Sequence, residues 1–237
     1  MDRNCCHPRF NKLQDLQLTL NRHVPIKFER SVGQIQLDLL SGLKKISLWG
    51  NHVYQLHDII SGLTGLIAKS PQLVHLEIKL GHCGISQGTP TLHDMLNKVP
   101  EDHPMELTYL ALIRTGICID SSTLPHLRSL ISLDMRNLPA PSDLTDDADF
   151  STERLEQGSL SSTSDICAIL KQEGIYFKHV IVSDVRVFDY LCSCSGFETL
   201  DLCFMTFDTV EESNASARTF FKSVLPQLVH SLQVLKI

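Results

Sequence analysis

The chain has 237 residues, 43% hydrophobic and 20% charged, with a formal net charge of −6 and a sequence pI near 6.0. Such a length buries a sizeable core in one elongated domain or at most two compact ones, and the lack of any Lys/Arg block excludes the electrostatic footprint of nucleic-acid or anionic-membrane binding. No apolar run approaches the roughly 18 residues that span a bilayer, and Met1 to Pro8 lack the apolar segment of a secretory signal, so an intracellular protein, in cytoplasm or nucleus, is expected.

Leucine supplies 36 residues while aromatics are only 6%, a bias that points to repetition. Leu13-Gln-Asp-Leu16-Gln-Leu18-Thr-Leu-Asn21 fits the pattern L-x-x-L-x-L-x-x-N, and Leu43-Lys-Lys-Ile46-Ser-Leu48-Trp-Gly-Asn51 fits it again. Apolar triplets without the Asn follow at Leu73/Leu76/Ile78, Leu107/Leu110/Leu112, Leu130/Leu133/Met135, Phe177/Val180/Val182, Phe197/Leu200/Leu202 and Leu232/Leu235/Ile237. Each triplet reads as a short strand whose last two apolar residues turn inward. One such unit cannot bury its own apolar edge, but stacked copies build a continuous core and a parallel sheet along the inner wall of an arc.

Between the triplets, apolar residues recur at helical spacing. Val53 to Ala68 carries Val53, Leu56, Ile59, Ile60, Leu63 and Leu66 before Ser70-Pro71 ends it. Residues 91–99, 164–172, 185–193 and 213–229 read as further helices, with Ser164 and Ser213 as caps. The expected architecture is α/β: one leucine-rich-repeat-like solenoid domain over 1–237, a horseshoe with its parallel sheet on the concave face and its helices outside. Residues 139–163, acidic and Ser-rich, read as a mobile insertion. The last triplet closes on Ile237 without the polar cap that a terminal repeat needs, so a chain cut short is expected.

The runs Leu107-Thr-Tyr-Leu-Ala-Leu112, Ser122-Thr-Leu-Pro-His-Leu-Arg-Ser-Leu-Ile-Ser-Leu133, Phe188-Asp-Tyr-Leu191 and Phe197-Glu-Thr-Leu-Asp-Leu202, with the acidic insertion, carry a resemblance. The chain resembles, over most of its length, the C-terminal repeat region of F-box/leucine-rich-repeat-like proteins of mushroom-forming fungi. The resemblance implies the substrate-recognition part of a ubiquitin ligase, in which an N-terminal F-box docks onto a Skp-type adaptor and the repeats hold the target. Met1 to Phe10 is too short for an F-box. Two readings stay open: the recognition half of a longer protein, or a stand-alone repeat scaffold that has lost the F-box.

If alternate strand residues face away from the core, the solvent-facing rows are Asp15/Gln17/Thr19, Lys45/Ser47/Trp49, His75/Glu77/Lys79, Tyr109/Ala111/Ile113, Ser132/Asp134/Arg136, His179/Ile181/Ser183 and Thr199/Asp201/Cys203. Trp, Tyr and Arg dominate interface energetics, so the expected partner-binding cluster is Trp49, His75, Glu77, Tyr109 and Arg136. Trp49, the single Trp, serves equally well as a cover for the sheet edge.

An enzyme is not expected. Gly84-Ile-Ser86-Gln-Gly88 fits G-x-S-x-G, the remote hydrolase alternative with Ser86 as nucleophile and Asp184 and His230 as nominal triad partners. Pro90, however, falls where the elbow's helix needs a backbone N–H, and no oxyanion segment precedes it. The eight cysteines, Cys5, Cys6, Cys83, Cys118, Cys167, Cys192, Cys194 and Cys203, read as reduced thiols. Cys5-Cys6-His7 and Cys192-Ser-Cys194 each offer only half a metal site, and Gly81-His-Cys-Gly lacks the end of a phosphate loop. No metal or cofactor is expected, and the expected partner is a protein.

Overall fold

A computed structural model of the chain describes residues 13–20, 37–50, 56–80, 90–113, 115–136, 162–203, 205 and 207–237. The strands are β1 (Asp15–Leu20), β2 (Lys45–Gly50), β3 (His75–Leu80), β4 (Tyr109–Ile113), β5 (Ser132–Met135), β6 (His179–Val182), β7 (Thr199–Leu202) and β8 (Val234–Lys236). They form one sheet in the order β1-β2-β3-β4-β5-β6-β7-β8, each parallel to its neighbour in the chain. Parallel neighbours need a crossover segment between them. These crossovers contain α1 (Leu56–Ala68), α2 (Leu92–Leu96), α3 (Thr163–Gln172), α4 (Phe188–Ser193), α5 (Val210–Thr219) and α6 (Leu225–Leu228), with three-residue or four-residue 3-10 turns at Leu37–Leu39, Leu124–Leu127 and Val185–Val187.

The apolar triplets set the register. Leu16, Ile46, Leu76, Leu110, Leu133, Val180, Leu200 and Leu235 stand side by side across all eight strands. A slip by one residue would turn every one of them to the opposite face. Each strand after β1 also starts in the same way: two successive N–H groups donate to the carbonyl of the residue just before the preceding strand. Val74 and His75 donate to Lys44, Thr108 and Tyr109 to Val74, Ile131 and Ser132 to Thr108, and so on to Gln233 and Val234, which donate to Glu198. The core lies on the helix side of the sheet. There Ile46, Leu48, Leu76, Ile78, Leu110, Leu112, Val180 and Leu200 share one buried cluster with Leu63, Leu66 and Ile67 of α1, Leu170 of α3, Leu191 of α4 and Leu228 of α6. Each such side chain, fully buried, contributes about 1.5–3 kcal/mol of transfer free energy.

Three helices, α2, α3 and α5, begin where a hydroxyl and an acid lie three residues apart, and α3 and α5 do so at residues other than the expected serines. Ser162, two residues before Ser164, caps α3 by accepting from Asp165 N, while the Asp165 carboxylate accepts from Ser162 N at 3.0 Å. Residues 162 and 163, assigned to the insertion from the sequence, therefore belong to this helix start; the remainder of 139–163 lies outside the described residues. Thr91 and Asp94 form the same reciprocal box on α2. Thr209, not Ser213, caps α5 by accepting from Glu212 N at 3.1 Å. Both arrangements satisfy N–H groups that a helix start leaves unpaired. The helix expected over 213–229 thus starts earlier and is interrupted by a π-helical turn at Phe220–Val224 before α6. At the other end of α3, Gly174 takes φ +66, with Ile175 N donating to Leu170 O and Gly174 N to Lys171 O. Glycine adopts this left-handed conformation without Cβ strain, and the two bonds close the helix end. Among the described residues, no helix is long and apolar enough to cross a membrane.

Candidate functional site

The face of the sheet opposite the core, its far face, carries the alternate strand residues in three aligned rows. The first runs Asp15, Lys45, His75, Tyr109, Ser132, His179, Thr199, and the second Gln17, Ser47, Glu77, Ala111, Asp134, Ile181, Asp201. Thr19, Trp49, Lys79 and Ile113 begin the third. These are the rows expected from the triplets. One part of that expectation fails: Ser47, Ala111, Asp134 and Ile113 are buried, although none belongs to the helix-side core. Ser47 and Asp134 lose their exposure to polar neighbours on this same face, and Ala111 is too short to rise between Tyr109, Glu77 and Asp134.

Four of the five expected contact residues are linked. The His75 and Tyr109 rings, register partners, stack with centroids 4.1 Å apart and planes 3° from parallel. Glu77 lies on the same strand face, its carboxylate 4.0 Å from His75 Nε2, too far for a hydrogen bond, and accepts from Ser47 Oγ at 3.1 Å. Arg136 grips Asp134 in a fork, Nη2 to Oδ2 at 2.6 Å and Nε to Oδ1 at 2.9 Å. Asp134 is only 1% exposed and the guanidinium is its cover. Tyr109 joins this pair to the stack, since it lies within the fields of Asp134, Glu77 and Arg136. Trp49 stands apart from these four. It is 38% exposed, and its ring carries Lys79 Nζ at 5.7 Å from the centroid, a cation–π contact between register partners. Ser47, Lys79 and Asp134 were not in the expected cluster. The signal that identifies them is lateral: each sits beside, or two residues from, a cluster member once the triplets are aligned.

Four groups on this face are held in one protonation state near neutral pH. Burial, then the Lys45 charge, push the His75 pKa below its ordinary value against the opposing pull of Glu77, so its ring is neutral at neutral pH. Burial raises the Tyr109 pKa, and the Asp134 and Glu77 charges add to it, keeping the phenol protonated. The Asp134 hydrogen bonds hold the Arg136 pKa above its ordinary value. Burial and Asp201 keep Cys203, beside Arg136, a thiol. Around the stack and the fork, His75 and Tyr109 are thus neutral rings and Arg136 a charged guanidinium.

Ser86 and its glycines lie outside the described residues. Asp184, its nominal partner, accepts from Arg186 N at 2.9 Å and pairs with the Arg186 guanidinium at 2.6 Å, and so serves as a turn cap. A His/Asp/Ser group that the sequence did not single out lies at His93, Asp120 and Ser122. His93 Nδ1 sits 2.6 Å from Asp120 Oδ2 and 3.4 Å from Ser122 Oγ. A catalytic relay needs acid and hydroxyl on opposite ring nitrogens; here both share one. Burial works to raise the Asp120 pKa, yet hydrogen bonds from Ser122 and Thr123, helped by His93, bring it down to about 2. Asp120 is the hub of a turn. Among the described residues no group of three or more His, Cys, Asp or Glu is placed to hold a metal ion. The Cys167 thiol is pushed up to about 12, chiefly by burial, and Cys194 is raised for the same first reason. Compared with protein-family models, curated proteins and solved structures, the chain matches none.

Proposed function

We propose that the chain is a leucine-rich-repeat-type solenoid that binds another protein across the far face of its sheet, which would then be the concave face. The observation that carries this reading is the linked set His75, Glu77, Tyr109, Asp134 and Arg136 beside the Trp49–Lys79 contact. Aromatic and guanidinium groups already fixed by neighbours lose little conformational entropy on association, which is what a binding surface requires. The seven repeated strand starts and the eight-strand register support the repeat assignment.

Within that reading, the resemblance to F-box/leucine-rich-repeat-like proteins favours substrate recognition for a ubiquitin ligase over a stand-alone scaffold. Co-purification of the full-length gene product with a Skp-type adaptor is expected for the ligase subunit; a full-length product that ignores the adaptor leaves the scaffold. For binding itself, a photo-crosslinking side chain at exposed Thr19, in the Trp49 row, is expected to label the captured protein, whereas one at exposed Arg218 on α5 is not. Labelling from Arg218 alone would move the interface to the helices.

A further inference from the structure

His126 lies in the 3-10 turn Leu124–Leu127 and is 0% exposed. Its Nδ1 accepts the backbone N–H of Met105 at 3.1 Å. A backbone amide can only donate, so the neutral ring must carry its proton on Nε2, and that nitrogen has no hydrogen-bond partner among the described residues. Met105, itself 1% exposed, ends the exposed turn made by Glu101, Asp102, His103 and Pro104 and leads through Leu107 into β4. This one bond ties the approach to β4 to the turn that precedes β5.

We propose that His126 is an acid-released tether: a second proton on its ring must occupy Nδ1, where Met105 N–H already points, so protonation and the tether exclude each other. On acidification the segment from Glu101 to Met105 detaches from the 3-10 turn. The imidazolium gains no compensating partner in place, because Nε2–H is already without one. Among the charged groups on the two segments that meet there, Glu101, Asp102, His103 and Glu106 before β4 and Arg128 after the turn, Glu101 is the one whose field reaches His126, and it opposes a larger effect of burial. Asp102 and His103 pair with each other at 3.8 Å, and Arg128 reaches Glu173.

Burial, the larger cause, lowers the His126 pKa in the folded chain below its ordinary value near 6.5. The detached state therefore binds more protons, and the tether, fully present above about pH 6.5, weakens as pH falls through that value toward the folded pKa. The hydrogen-exchange protection factor of the Met105 amide should fall by up to about tenfold per pH unit in that window. His126→Asn keeps an acceptor, Oδ1, near the Nδ1 position but does not titrate, so its Met105 protection should be flat while His75 and every other histidine are retained. A flat profile in the parent chain, or an equal fall in His126→Asn, overturns the proposal. Should that variant not fold, the nitrogen shifts of the parent His126 ring decide. Neutral His126 protonated on Nε2, with a ring midpoint matching that of the Met105 amide, supports the tether; a proton on Nδ1, or unequal midpoints, refutes it.

Discussion

Trp49→Ala combined with Tyr109→Ala should weaken binding of the protein partner by at least about 30-fold, the loss of about 2 kcal/mol expected when one interface anchor is truncated. Both side chains sit on the far face outside the core cluster. Their folded-state contacts are modest: the Tyr109 stack on His75 is worth about 0.5–1.5 kcal/mol and the Lys79–Trp49 cation–π contact about 0.5–1 kcal/mol. The circular dichroism melt should therefore move by only a few degrees. Intact binding together with a large fall in stability would make Trp49 and Tyr109 structural cover for the sheet and nothing more.

Arg136→Ala is expected to act in the opposite sense, through stability first. The variant removes both the fork and the cover from the Asp134 carboxylate, and loss of hydrogen bonds to a charged group costs about 1.5–3 kcal/mol. Urea unfolding of the variant beside the parent chain measures that loss directly. Arg136→Ala with Asp134→Asn, which removes the stranded charge, should recover part of the loss. If Arg136→Ala alone costs under about 0.5 kcal/mol, the fork is a surface pair of little consequence. The expected size of the effect also explains why Arg136 is a poor alanine probe of binding: its variant changes the surface around it.

The strand register was fully legible in the sequence because it depends on one quantity, the alternation of apolar residues in the triplets. Leu76/Ile78 and Leu110/Leu112 align laterally because any other alignment exposes them. Helix starts were less legible, since hydroxyls are frequent in these segments and only their three-residue spacing to an acid, as in Ser162-x-x-Asp165 and Thr209-x-x-Glu212, separates a cap from its neighbours. What the sequence could not convey is the lateral chemistry. Ser47 meets Glu77 and His75 meets Tyr109 at separations of 30 positions and more along the chain. The rows place such pairs side by side, but whether two side chains stack, fork or stand apart depends on rotamers that no periodicity specifies. For the same reason Asp134, nominally solvent-facing, is buried: a two-residue offset on one strand lets the longer Arg136 fold over it.

The central claim is that the far face of the sheet is the surface a protein partner covers, and Trp49 offers a direct reading of it. As the single Trp in the chain, it can be replaced by fluorotryptophan in this protein alone, giving one fluorine resonance from a 38% exposed ring. Saturation with the captured partner should shift that resonance and remove its solvent-isotope sensitivity, while the partner contributes no signal of its own. A resonance with unchanged position and unchanged solvent sensitivity at saturation would place the partner elsewhere and contradict the account.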